Sequence, residues 1–209
     1  MALINFPQRG NPAAEPQQLP LFPLNAVLFP GGVLSLRVFE QRYMTLVKDC
    51  FKRESAFGIC LIAEGAEVGA PAQPHPLGTL ARIVAWDMTQ PGILNITVRG
   101  EGRFRILSSE ADREGLLHAR VEPIAAEPEM PVPETLAALV PLLQAMAADV
   151  GAERFPEPHR FDDAAWVGYR FCELLPIPPI ARQKLLELEE PISRLEIVFK
   201  FLAQRNLVK

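Results

Sequence analysis

Residues 19–50, LPLFPLNAVLFPGGVLSLRVFEQRYMTLVKDC, constrain the fold more than any other part of this chain. Pro20 and Pro23 fix their own φ and push the residues before them out of the helical region, so 19–24 reads as an extended apolar segment. A proline also removes a ladder donor, which assigns the segment to a sheet edge or to a strand with an irregular end. Pro30-Gly31-Gly32 is a turn. Residues 33–39 alternate, with Leu34, Leu36 and Val38 on one side and Val33, Ser35, Arg37 and Phe39 on the other, as a strand does. From about Glu40 the period changes. Tyr43, Val47, Cys50 and Phe51 then share one face of a helix. The run is strand, turn, strand, helix, with no nucleophile–base pair, metal-ligand set or phosphate loop.

The first half of the chain continues in strands. Residues 56–63 (AFGICLIA) have the length of a buried strand, and 64–77, rich in Gly, Pro and Ala, read as a loop. Residues 79–89 and 93–98 flank Gln90-Pro91-Gly92, a hairpin signal. Gly100-Glu101-Gly102 is expected to break the chain before a strand at 103–107, and 116–123 reads as the last strand. Many short strands around one helix suggest a small closed or half-closed barrel. The composition then shifts. Residues 125–133 (AAEPEMPVP) read as a linker, and the pattern beyond is helical. The spacing predicts a helix over 134–150 kinked at Pro141, one capped by Asp162-Asp163 and running to about 175, and two more over 180–189 and 191–205, with Pro191 at the first helical position. The expected plan is a flexible leader at 1–18, a β-domain with one helix at 19–124, a linker at 125–133 and a helical bundle at 134–209.

Net charge is −4, which opposes a general nucleic-acid binder, since such a protein needs a basic face to displace counterions. The three cysteines form no C-x-x-C pair, so a reducing cytosol is the simpler setting. The first residues lack a signal-peptide pattern, and no run approaches the ~18 apolar residues that span a bilayer. The expectation is a soluble cytoplasmic protein.

Three motifs in order carry a resemblance. The first is Pro20, Leu21, Phe22, Pro23, Leu24, then Val27, Leu28, Phe29, Pro30, Gly31, then Leu34, Leu36, Val38, Phe39, Glu40, Arg42 and Tyr43. The second is Gly78-Thr79-Leu80-Ala81-Arg82-Ile83, and the third Gly100-Glu101-Gly102-Arg103-Phe104-Arg105-Ile106. This set resembles the Lon N-terminal domain family, the substrate-recognition domain of ATP-dependent Lon proteases, over most of the chain from Leu19. The resemblance implies an α+β fold, a PUA-like β pseudo-barrel followed by a C-terminal helical bundle. It also implies a non-enzymatic module of a bacterial cytoplasm that binds polypeptide segments, as an adaptor or regulator linked to proteolysis or protein quality control.

Catalytic groups are scarce. No Gly-Lys dipeptide exists, so the phosphate loop of an ATPase is absent, and the chain has no room for the Lon engine domains. His75, His118 and His159 lack metal-ligand spacing. Cys50 and Cys172 fall on core faces, where free Cys acts as a small hydrophobe. A hydrolase would need a histidine brought to a Cys or Ser by the fold. Arg37, Glu40 and Arg42 read as an ion-pair cluster locking the strand-to-helix junction. No catalytic, cofactor or metal residue is expected. Phe22, Phe29, Trp86, Met88 and Ile93 are the candidate peptide-binding set, if some of them form an exposed apolar patch. Arg99, Arg103 and Arg105 are candidate polar contacts, and they carry the alternative reading, a PUA-like RNA-binding module.

Overall fold

The computed structural model describes residues 16–208. The elements run β1 (Gln17–Leu24), β2 (Val33–Val38), α1 (Gln41–Arg53), β3 (Phe57–Glu64), β4 (Gln73–Gln90), β5 (Ile93–Ala111), β6 (Leu117–Pro123), a 3-10 turn (Glu134–Leu136), α2 (Leu139–Val150), α3 (Ala164–Leu174), α4 (Pro179–Glu187) and α5 (Pro191–Ala203). The chain divides into two compact units, one ending at Ala126 and the other beginning at Glu127.

In the strand unit the sheet order is β2-β5-β4-β3-β1-β6, and β5 also pairs with β6. Strands β5, β4, β3, β1 and β6 therefore close into a ring, with β1 parallel to β3 and the other pairings antiparallel. Strand β5 is 19 residues long and serves two roles. Its first half lies between β2 and β4, and its second half closes the ring against β6. Apolar alternation builds two cores. Leu19, Leu21, Cys60, Leu80, Phe104, Ala119 and Val121 form one. Tyr43, Leu46 and Val47 of α1 meet Phe22, Val38, Leu94, Ile96 and Val98 in the other. Each buried Leu, Ile, Val or Phe among them stabilises the fold by about 1.5–3 kcal/mol relative to exposure.

Strand β1 is interior, which corrects the edge assignment. Residues 17–21 pair with β6, and residues 21–24 pair with β3. Pro20 and Pro23 thus each stand where β1 has a partner strand on one side only, so a missing N–H is tolerated. Gln17 and Gln18 belong to this strand and not to a leader; residues 1–15 of the expected leader lie outside the described residues. The loop expected over 64–77 is shorter, because β4 begins at Gln73, opposite Glu64. Gly100-Glu101-Gly102 does not break the chain. Gly100 sits inside β5, where its N–H donates to the Gly32 carbonyl and its carbonyl accepts from Gly31, both at 2.8 Å. A Cβ there would land on the Phe29 carbonyl, so glycine permits a close approach within a strand.

In the helical unit α3 packs on α5, and Val167 and Phe171 of the one and Leu195, Val198 and Leu202 of the other are buried. Asp163 caps α3, its Oδ1 accepting from the Ala165 N–H at 3.2 Å. Pro141 does not kink a helix over 134–150. The 3-10 turn ends first, and Pro141 falls in the first turn of α2, where its lost donor has no helical acceptor. Arg194 is fully buried and crosses α3 at Gly168. Its Nε donates to the Leu185 carbonyl at 2.9 Å, and Nη1 and Nη2 hold the Glu127 carboxylate at 2.8 and 2.6 Å. The Tyr169 ring lies 4.1 Å from the guanidinium, and the Tyr169 hydroxyl donates to the same carboxylate. Segment 125–133 is therefore tied down from Glu127 onward. Glu129 pairs with Arg160 at 2.6 Å, and the Met130 carbonyl accepts from Ala164 at 2.8 Å. The carboxylates that gave this segment a solvated look are counter-charges. Among the described residues no helix is long and apolar enough to cross a membrane.

Candidate functional site

The apolar candidates separate by burial. Phe22 and Phe29 are core residues, which removes both from any exposed patch. Phe22 stacks on Tyr43 with ring centroids 3.8 Å apart, and Phe29 lies beneath the Gly100 approach. Strand alternation cannot say which side meets the helix, and here that side is inward. Trp86 is 62% exposed and Met88 47% exposed. Ile93 is half-buried and opens β5 opposite Gln90. Val84 and Phe51 are also exposed and were not anticipated. The Phe51 ring meets Trp86 edge-on at 5.9 Å. Helical spacing puts Phe51 on the apolar face of α1, and there it meets the exposed Trp86 of β4 and is itself 41% exposed.

Strand β3 accompanies β4 only to Ala81, so along residues 82–90 the outer edge of β4 has no strand partner among the described residues. A bulge at Val84 shifts the β4 register, so Trp86, paired with Ile96, and Met88 share the face on which Phe51 meets Trp86, and these three form an apolar shelf beside an open strand edge. Exposed apolar edges are pairing templates, and soluble proteins normally protect them with charge or cover.

A second apolar feature is a cavity of about 330 Å³. Its lining includes Phe22, Leu24, Ala26 and Tyr43, all of residues 34–40, and Glu67 and Val68. Phe39 and Val68 are each about half exposed at its mouth. Glu67 accepts from the Asn25 N–H at 2.6 Å. Burial pushes the Tyr43 phenol up, Arg42 pulls it back, and the Glu40 and Glu67 carboxylates add to the rise.

The expected ion pair at the strand-to-helix junction is present without Arg37. Arg42 is buried, its Nη2 3.0 Å from Glu40 and its Nη1 donating to the Gly115 carbonyl at 3.1 Å. The arginine candidates are not a stripe. Arg103 is 4% exposed, Arg99 is half-buried, and Arg105 is exposed opposite Glu122. Glu101, between them, is gripped by Arg82. An even spacing along a regular strand would place them on one side, but the β4–β5 register shifts between Gly100 and Arg103, so Arg99 and Arg103 fall on opposite faces. His118 faces Asp112 at 3.1 Å, and His159 faces the Phe155 carbonyl at 3.0 Å. Cys50, Cys60 and Cys172 are buried, and burial pushes each thiol upward, Cys172 to about 12. Among the described residues no group of three or more His, Cys, Asp or Glu is placed to hold a metal ion.

With ring, shelf and cavity described, the chain can be set beside known proteins. The family model for the ATP-dependent protease La (LON) substrate-binding domain matches residues 18–204, and the chain belongs to that family. It is 28% identical over 207 residues to the Lon protease of Anaeromyxobacter dehalogenans (strain 2CP-C), covering 91% of this chain and 24% of that one. The chain thus spans about a quarter of the length of that relative. The crystal structure of a Lon N-terminal domain protein from Xanthomonas campestris superposes with a TM-score of 0.74 at 36% identity, covering 88% of this chain and 98% of that chain. The N-terminal domain of the Mycobacterium avium complex Lon protease shares the fold, with a TM-score of 0.63 at 18% identity over 90% and 98% of the two chains. The architecture is the Lon N-terminal domain fold, α+β, with a mixed sheet.

Proposed function

We propose that this protein is a non-enzymatic recognition module that binds polypeptide segments as an adaptor or regulator linked to proteolysis or protein quality control. One observation carries the reading: the exposed shelf of Phe51, Trp86 and Met88 lies beside the open edge of β4. Apolar side chains give an unfolded segment buried area, and the free edge gives it main-chain partners. Family membership and the Lon relatives support the reading. The five-stranded ring supports the PUA-like pseudo-barrel description of the strand unit, and the split at Ala126 supports a β-domain at 19–124 with a helical bundle at 134–209. The cellular setting proposed is a bacterial cytoplasm, away from membranes. Nucleic acid is disfavoured as a partner by the −4 charge and the burial of Arg103.

Affinity capture tests this. Immobilised protein should retain denatured, carboxymethylated model proteins and release the same proteins in native form. The double substitution Trp86→Ser and Met88→Ser should cut retention at least tenfold, about 1.4 kcal/mol or more, the size of a strong interface anchor. Both positions are exposed, so the thermal midpoint should hold. Retention no better than an uncoated surface would sink the proposal.

A further inference from the structure

The cavity beside β2 has an unusual wall. A strand that shows a cavity its face contributes every second residue. Here all of residues 34–40 line it. The wall is therefore the edge of β2, with the main-chain groups that β5 does not use, since among the described residues β2 pairs with β5 alone. Glu67 and Val68 stand opposite, and Phe22, Leu24, Ala26 and Tyr43 make an apolar floor. At about 330 Å³ the space is at the low end of ligand pockets. It accepts one or two side chains, whereas a helix, ~10 Å across, does not enter.

Two carboxylates, Glu40 and Glu67, and one arginine, Arg37, lie along the cavity. Glu40 is balanced by buried Arg42, whereas Glu67 accepts from the main-chain N–H of Asn25. Arg37 is exposed while Leu36 and Val38 on either side of it are covered, so strand alternation puts its guanidinium on the outer face. An apolar segment with a carboxylate beside it would bring two negative charges together at Glu67. A Lys or Arg would be drawn in.

We infer that this groove is a strand-addition site for extended apolar segments that carry a neighbouring basic residue. The segment pairs with the free edge of β2, lays an apolar side chain over Phe22 and Tyr43, and sets its cation against Glu67. The inference rests on the polypeptide-recognition reading and names the class of segment taken at a place apart from the Trp86 shelf.

Two labelled heptapeptides test it, alternating Val or Leu with Thr and differing only by Lys or Glu at one end. Fluorescence anisotropy gives affinities, and hydrogen exchange shows where each peptide lies. The Lys peptide is expected to bind at least tenfold tighter, and to slow exchange over residues 33–40. Glu67→Lys reverses the preference. Phe39→Ser weakens both peptides, and N-methylation at alternate peptide residues abolishes binding. Trp86→Ser leaves the Lys peptide unaffected. Equal affinity for the two peptides, indifference to N-methylation, or protection over 82–90 in place of 33–40 overturns the inference. Protection of 33–40 that grows with protein concentration in the absence of peptide also overturns it, and assigns the edge to a second copy of the chain. If denatured proteins are still captured while the Lys peptide fails, only the groove inference falls. If neither binds, the recognition reading falls with it.

Discussion

Gly100 has no side chain because the Phe29 carbonyl occupies the place where one would stand. The obstacle is backbone and cannot rotate away. Gly100→Ala is therefore expected to cost roughly 2–4 kcal/mol, in the range of overpacked or strained sites, read as a lower urea midpoint with an unchanged slope. An alanine variant of native stability would mean that the approach is loose. Arg194 presents the opposite case, a buried charge whose partner would be stranded. Arg194→Leu leaves the Glu127 carboxylate buried without its guanidinium, at a cost of about 3–5 kcal/mol. Adding Glu127→Gln should recover part of that loss in a double-mutant cycle. The cysteines predict a pH effect with a definite sign. Folding raises the Cys172 thiol from 9.0 to about 12, so the folded state holds that proton more tightly. Its contribution is complete below pH 9.0 and declines above it. The three thiols should react slowly with a disulfide reagent at pH 8 until urea unfolds the chain, and Cys172→Ala should flatten the alkaline decline.

At the scale of elements, most of what the pattern announced is there: the opening strand-turn-strand-helix, the hairpin at Pro91-Gly92, the Asp163 cap and the helical second half. Asp163→Ala should cost about 1 kcal/mol, measured by chemical unfolding of the helical signal. The misreadings share a cause. Local composition reports what a residue permits, whereas a fold decides which of those permissions it uses. Glycine at 100 permits a break and is used for proximity. Prolines in β1 permit an edge and are placed where an interior strand has one neighbour at a time. Glutamates at 127 and 129 permit solvent and are spent on Arg194 and Arg160. The site was legible in the same measure. Trp86 and Met88 stood out as excess hydrophobicity in a hairpin. Phe22 and Phe29 carried the same signal, and only the packing of α1 and the Gly100 approach separates them. The groove left no trace in one segment, because β1, β2, α1 and the 65–72 loop all contribute to it.

For the whole molecule, ring closure depends on a distant pairing. Gln17 lies opposite Val121, so the pairing of β1 with β6 joins residues about a hundred positions apart. Such non-local contacts slow folding, and strand-rich units of this kind fold in milliseconds to seconds rather than microseconds. A chain starting at Asn25 loses both neighbours' pairings and the burial of Leu19, Leu21 and Phe22. It is expected to show no cooperative unfolding transition for the strand unit. A sharp transition in that truncated chain would show that the remaining five strands suffice. The same pairing sets the two ends of the strand unit side by side. A backbone can enter such a body and leave it again at nearly the same point, with little stretch imposed on whatever lies on either side. Insertion of such a unit into a surface loop of an unrelated host, or joining of its ends with new ones opened at the Pro91-Gly92 turn, is expected to leave the strand pairings in place, checked by circular dichroism and chemical unfolding of the permuted chain.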